Sequence, residues 1–352
     1  MMSAMNELRD AVAALGVDPE EIEAAEASGT LLGLIAERFL LPGEKRYDHE
    51  DLAARTGLHP DEVKKLWLAL GFPEPVPGEK AFREGDLEAV RTLLSDGTTI
   101  TEYMLHETRA ISSSLVRIAE VFVDEMWDQH FKVGQTQAEA IGEMSGAIDL
   151  QRIEGLLIGL LRRQIVAAIY RRMALHDREM REGLPSLAIG FADIAGYSAL
   201  SQALEPKDLT DLVVGFEKET HDLIAQMNGR VVKTIGDEVM FLFEDARTAA
   251  VFALRLSSVA GLPALRIGLG SGPVLTRQGD CFGPTVNLTS RVVGVAAAGE
   301  IVVESGMARA LDKSEFVLTS LGERSLKGFG DVELWRLEDR QSQVTSSYAP
   351  EQ

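Results

Sequence analysis

The sequence predicts an α+β chain in two parts, an all-α N-terminal region and a C-terminal domain of mixed strands and helices. Three observations carry this. Up to about residue 180, apolar residues recur at helical spacing and β-branched alternating runs are few. From Leu187 onward they gather instead into short runs of strand length. Between Gly229 and Asp245 the chain is apolar, breaks at Ile235-Gly236-Asp237, and is apolar again, the pattern of two strands joined by a tight turn.

In the first part, Leu31, Leu32, Leu34, Ile35 and Phe39 fall near helical spacing, as do Leu105, Ile111, Leu115, Ile118 and Phe122. Leu156 to Met173 is another apolar helix. The stretch Asp51 to Val63 reads as helix-turn-helix, which could signal DNA binding. A DNA reader should be locally basic, yet residues 47–72 carry five acidic and three basic residues. A packing motif is the better reading, and no nucleic-acid partner is expected. Residues 173–186 are charged and close on Gly183 and Pro185, so they read as a helical arm ending in a linker.

The second part, residues 187–340, reads as strand 187–192, helix 206–227, hairpin 231–243, helix 246–260 and strand 265–270. A helix over 285–297 and strands over 301–303, 316–318 and 332–337 follow. The opening β-α-β-β-α-β order is the ferredoxin-like arrangement. Residues 341–352 are polar and are expected to be disordered.

Composition narrows the function. A net charge of −20 over 352 residues argues against nonspecific binding to nucleic acid or anionic lipid. One cysteine, Cys281, excludes an internal disulfide framework and fits a reducing compartment. The longest apolar stretch, Gly155 to Tyr170, is interrupted by Arg162, Arg163 and Gln164, so it does not span a membrane. A soluble, cytoplasmic protein is expected.

Two carboxylates stand at strand ends, Asp193 after the run from Leu187 and Asp237 at the hairpin turn. Hard divalent cations take such oxygen ligands, and a pair of them suits phosphoryl chemistry on a nucleotide. Each residue also has an ordinary reading: Asp193 as a helix N-cap, Gly236-Asp237 as a turn and no more. Lys233, four residues before Asp237, taken alone is a surface lysine. Asn287 and Arg291 share a helix face, or are a cap followed by a solvated arginine. Cys281 reads as a small buried filler.

Taken together, these motifs resemble the catalytic domain of class III nucleotidyl cyclases along most of Leu187 to Leu337. Phe191-Ala192-Asp193-Ile194-Ala195-Gly196-Tyr197 is similar to the first metal motif, and Lys233-Thr234-Ile235-Gly236-Asp237 to the second. The resemblance implies that Asp193 and Asp237 hold two divalent cations per site, Mg²⁺ or Mn²⁺. It implies that the backbone around Phe191, Ala192, Ile194 and Gly196 cradles the triphosphate of ATP. Lys233 and Asp280 would read adenine, where guanylyl cyclases usually place Glu and Cys. Asn287 would orient the ribose and Arg291 would stabilise charge on the α-phosphate. Leu326-Lys327-Gly328-Phe329 resembles the late motif, whose lysine reaches the terminal phosphates. Some relatives carry a phosphate-binding Arg where Pro273 stands, so that contact is missing here.

The family works as a dimer with shared sites. One copy would supply Asp193 and Asp237, and its partner Lys233, Asp280, Asn287 and Arg291. All six occur in this chain, so a homodimer suffices. A helical region ahead of such a domain resembles mycobacterial-type cyclases with an autoinhibitory N-terminal domain, some acid-responsive and some linked to fatty acids. That assigns a regulatory role to residues 1–172. It makes His176 a candidate pH switch through Asp177, Glu179 or the partner subunit, against the alternative of a solvated histidine. A fatty acid or other lipid is a candidate ligand among the N-terminal helices, against the alternative of an ordinary core. Two other readings remain: a catalytically silent nucleotide-binding module, and a DNA-binding regulator with a cyclase-like sensor.

Overall fold

The computed structural model describes residues 9, 12–13, 17–41, 43–94, 99–130 and 150–340, apart from the side chains of residues 32, 130, 150, 177–179, 181 and 182. The expected disordered tail, 341–352, lies outside these residues. Contacts divide the chain into two compact units, residues 1–161 and 162–352.

The first unit is helical, as predicted. Helix α1 (Pro19–Ser28) starts at Asp18, whose carboxylate accepts from the Glu20 N–H, and stops at Gly29 in the left-handed conformation. It packs with α2 (Leu31–Leu40) around Val17, Ile22, Ala25, Leu31 and Leu34. Helices α3 (His49–Thr56), α4 (Pro60–Ala69) and α5 (Glu84–Leu93) enclose Leu52, Val63, Leu66, Phe82 and Leu87. The helix-turn-helix shape of α3 and α4 is therefore used for packing within this core. Helix α6 (Glu102–His130) buries Leu105, but its later apolar residues Ile111, Leu115 and Ile118 are exposed. The helical spacing that predicted this helix marks its existence correctly and overstates its burial. Helix α7 (Leu150–Glu182) behaves likewise, with Leu156, Leu160, Ile165 and Ile169 exposed. Residues 173–182 continue α7, and Gly183 follows with φ +82°.

The second unit is built on a seven-stranded sheet. Its strands are β1 (Ser186–Ile194), β2 (Arg230–Ile235), β3 (Glu238–Phe243), β4 (Leu265–Pro273), β7 (Ile301–Glu304), β8 (Phe316–Leu326) and β9 (Gly330–Asp339), in spatial order β2-β3-β1-β4-β7-β9-β8. The first four pair antiparallel around a central β1, which is the predicted ferredoxin-like core. A two-stranded hairpin, β5 (Leu275–Arg277) and β6 (Asp280–Phe282), stands apart. The helices are α8 (Tyr197–Ala203), α9 (Pro206–Gln226), α10 (Ala246–Ser257), α11 (Pro284–Val292) and α12 (Ser305–Ala310). Helix α8, the β5–β6 hairpin and α12 add to the predicted elements, and β8 and β9 run well beyond the predicted strands.

Strand side chains alternate between faces. Ala188, Ala192, Phe241, Phe243, Ile267 and Leu269 face the main core, which α9 and α10 cover through Phe216, Ile224, Phe252 and Leu256. Leu187, Ile189, Phe191 and Met240 face the other way, toward Val286 and Val293 of the α11 region, with Leu175 of α7 packed alongside. Helix α11 lies close because β4 presents glycines to it. A Cβ on Gly270 would stand 2.1 Å from Thr289 Oγ1, and one on Gly268 2.5 Å from the Val293 backbone nitrogen.

Candidate active site

The polar residues of interest lie on the α11 face. Antiparallel register places Asp193 opposite Glu238 on one side and opposite Arg266 on the other. Directly opposed residues share a face, so Glu238, Asp193 and Arg266 form a row across β3, β1 and β4. Arg266 donates through Nε to Asp193 Oδ1 at 2.8 Å and through Nη2 to Oδ2 at 2.5 Å. Asp193 is therefore not the N-cap of the following helix; that position belongs to Gly196, with φ +74°. Asp237 follows Gly236, which turns the β2–β3 hairpin at φ +64°.

Electrostatics couple these acids. Burial pushes the Asp237 carboxyl above the usual aspartate range, and the Asp193 charge pushes the same way. Glu238 is raised by its own burial, then by Asp193 and Asp237, with Arg266 pulling back. Of the three coupled carboxylates, Asp193 is the one that Arg266 hydrogen-bonds. Among the described residues no group of three or more His, Cys, Asp or Glu is placed to hold a metal ion. The two aspartates still fit a divalent cation of the magnesium type, which takes one or two carboxylates and fills its remaining positions with water and substrate phosphate oxygens. Asp193 already carries one cationic partner, the Arg266 guanidinium.

Lys233 reaches the same face by an irregularity. Val231 pairs with Phe241 and Lys233 with Met240, so a bulge at Val232 shifts the alternation. Without it, Lys233 would share the face of Val231. Its Nζ donates to both oxygens of Asp280, at 2.7 and 3.0 Å. Asp280 sits on β6, reached through a two-residue turn in which Gln278 and Gly279 both have positive φ. Burial would raise the Asp280 carboxyl, but the Lys233 hydrogen bond and the Cys281 N–H donor outweigh it and hold it below the usual range. Arg230 ties the hairpin down by donating to the Gly279 carbonyl at 2.5 Å. Cys281 is buried, as expected of a filler, and burial raises its thiol.

Helix α11 buries Val286, Thr289 and Val292 and presents Asn287 and Arg291 outward. Its N-cap is Gly283, so Asn287 lies inside the helix and does not cap it. Lys327 is exposed in the β8–β9 turn beside Gly328 at φ +87°. Phe191, Ala192 and Ile194 are buried, which leaves only their backbone to meet a substrate. No side chain caps α8 after Gly196. His176 is exposed on α7, and the side chains of Asp177 and Glu179 are outside the described ones.

Sequence reasoning missed Arg266, Glu238 and Arg230. Arg266 had a signal, being the one charge in the apolar strand 265–269; Glu238 had another, directly following Asp237.

In the N-terminal unit, a cavity of about 110 Å³ is lined by Leu66, Leu93, Leu94, Ile100, Met104 and Ile111 among others. Ligand pockets usually hold roughly 300–1,000 Å³. Among the described residues no helix is long and apolar enough to cross a membrane.

Residues 180–339 match the family model described as the adenylate and guanylate cyclase catalytic domain. An adenylate cyclase of Streptomyces coelicolor is 31% identical over 363 residues, covering 92% of this chain and 94% of that one. A pH-sensitive adenylate cyclase of Mycobacterium tuberculosis is 27% identical, covering 92% of this chain and 85% of that one. Among solved structures, the adenylyl cyclase CyaB from P. aeruginosa is similar with a TM-score of 0.39 and 24% identity, over 44% of this chain and 94% of that one. The chain belongs to the adenylate cyclases with a class III catalytic domain.

Proposed function

We propose that the chain converts ATP to 3′,5′-cyclic AMP and pyrophosphate at sites completed by two copies of itself, under control of its helical N-terminal region. The observation that carries the substrate is the Lys233–Asp280 pair on the same sheet face as Asp193. Adenine offers an N6 amino donor beside the N1 acceptor, and a carboxylate beside an ammonium answers that edge. Opening the ion pair to admit the base frees Asp280 to accept from N6 and Lys233 to donate to N1.

Asp193 and Asp237 would hold two divalent cations, Mg²⁺ or Mn²⁺, which when bound supply Lewis acidity to the nucleotide's oxygens. The ribose O3′ forms its bond to the α-phosphorus as the bond to the β-phosphate oxygen breaks, and the hydroxyl proton passes to solvent or substrate. Arg291 neutralises charge building on the α-phosphate, and Asn287 fixes the ribose. Lys327 reaches the terminal phosphates. The backbone at Phe191, Ala192, Ile194 and Gly196 borders the triphosphate, consistent with an uncapped helix start.

Division of labour between copies is supported by the outward aim of Asn287 and Arg291, away from their own sheet. Co-expression of Asp237→Ala with Arg291→Ala tests it. Each variant alone should be inactive. Together they should recover about a quarter of parental activity, because half of randomly assorted dimers carry one intact site of two. No recovery would contradict shared sites.

Regulation by the helical region is the reading that similarity to a pH-sensitive adenylate cyclase over 92% of this chain supports. A fragment starting at residue 187 should then exceed the full chain in activity. His176 is the candidate acid switch. A His176→Ala variant with the parental pH–rate profile would remove that idea.

A further inference from the structure

Building on the two-aspartate cation site proposed above, we infer that Arg266 is a positioning residue that occupies Asp193 as an internal cation. It thereby keeps the aspartates from loading a free divalent ion before nucleotide arrives.

The geometry is specific. Arg266 lies opposite Asp193 in register, and its planar fork engages both carboxylate oxygens at 2.8 and 2.5 Å. Such bidentate pairs are among the strong hydrogen bonds. The Asp193 side chain is only 13% exposed, so little water competes for it. Strand β4 otherwise buries Leu265, Ile267 and Leu269. Arg266 projects from the opposite face of that strand, where Asp193 is its hydrogen-bond and ion-pair partner. Asp237 and Glu238 add two more carboxylates to the same neighbourhood, and neither is ion-paired among the described residues.

The cluster therefore has charge to spare for a further cation, while both oxygens of Asp193 are already taken. A divalent ion alone must break or share the bidentate pair. A nucleotide triphosphate changes the balance, since its oxygens can complete the ion's coordination and its negative charge can take over the guanidinium. Cation loading and nucleotide binding are coupled through one side chain. An arginine suits this role better than a lysine, because its fork satisfies both oxygens at once.

The test is Mn²⁺ binding to the full chain without nucleotide, read by electron paramagnetic resonance. The parent is compared with Arg266→Gln, Arg266→Lys, Asp193→Asn and the Arg266→Gln/Asp193→Asn double variant. Arg266→Gln should bind Mn²⁺ at least about tenfold more tightly, the scale of losing a charged hydrogen bond to a competitor. Arg266→Lys should fall between, and the double variant should lose the gain. Should Arg266→Gln fail to fold by circular dichroism, the lysine variant decides, because it keeps the charge and loses only the fork. Mn²⁺ affinity unchanged in the Arg266 variants, with Asp193→Asn still weakening it, would overturn the inference and leave the cation site standing. Affinity indifferent to Asp193 as well would overturn both.

Discussion

Replacing Lys233 by Met separates recognition of the base from stability of the fold. In the free chain Lys233 pairs with Asp280, its one ion-pair partner among the described residues, and both side chains are about a third exposed, at 37% and 34%. Solvent screens such a pair, so its loss should cost at most about 1 kcal/mol of stability. In a unit of residues 162–352 that corresponds to a drop in Tm of roughly 2–4 °C. The catalytic cost should be larger. A hydrogen bond from a charged donor to a base is worth about 1.5–3 kcal/mol, which is roughly 10- to 150-fold in kcat/KM for ATP. The preference for ATP over GTP should shrink with it, because Met offers nothing to N1. The assay is cyclic nucleotide formation from each triphosphate at matched metal concentration, alongside thermal unfolding. A change in kcat/KM below threefold with Tm intact would refute the role of Lys233 at the base. A Tm loss beyond 10 °C would refute the screened-pair reasoning.

Other outcomes follow from the packing. Gly270→Ala puts a methyl 2.1 Å from Thr289 Oγ1, so it should destabilise by about 1–3 kcal/mol and lower activity by moving Asn287 and Arg291; adding Thr289→Ala should restore much of both. His49 is buried against Phe82, with ring centroids 5.1 Å apart, and Nε2 has no hydrogen-bond partner among the described residues. Burial holds its imidazole below the usual range, and Lys64 adds to this against the opposing pull of Glu74 and Asp48. The neutral form therefore contributes stability that is complete above the unfolded value of about 6.5. It is lost as pH falls toward the lowered folded value, at no more than about 1.4 kcal/mol per pH unit. Unfolding followed through Trp67, which packs on Phe82, should show His49→Leu losing less stability than the parent between pH 6.5 and 5. An equal loss would remove His49 from the acid response.

Much of the second unit was legible because its strands are apolar runs closed by turn residues, and Gly236-Asp237 fell where the hairpin turns. The β5–β6 hairpin escaped notice because its turn uses Gln278-Gly279. Asn or Asp normally announces two positive φ angles in succession, and Gln does not. The face of Lys233 was not readable at all, since a bulge at Val232 inverts the alternation on which such a reading depends. Glycines at 268 and 270 were an unused signal, marking the strand on which α11 lies close. In the first unit, period identified the helices but not their surroundings. Ile111, Leu115 and Ile118 obey helical spacing and are nonetheless exposed, because spacing reports which residues share a face and not what covers it.

The most direct measurement is cyclic AMP formation from ATP by the full chain with Mn²⁺ or Mg²⁺, beside Asp237→Asn. The parent should form cyclic AMP in a metal-dependent way and the variant should lose at least about a hundredfold, the scale of removing a charge-stabilising group from the transition state. Cyclic AMP undiminished in Asp237→Asn, or absent from the parent under conditions where another cyclase works, would contradict the proposed function.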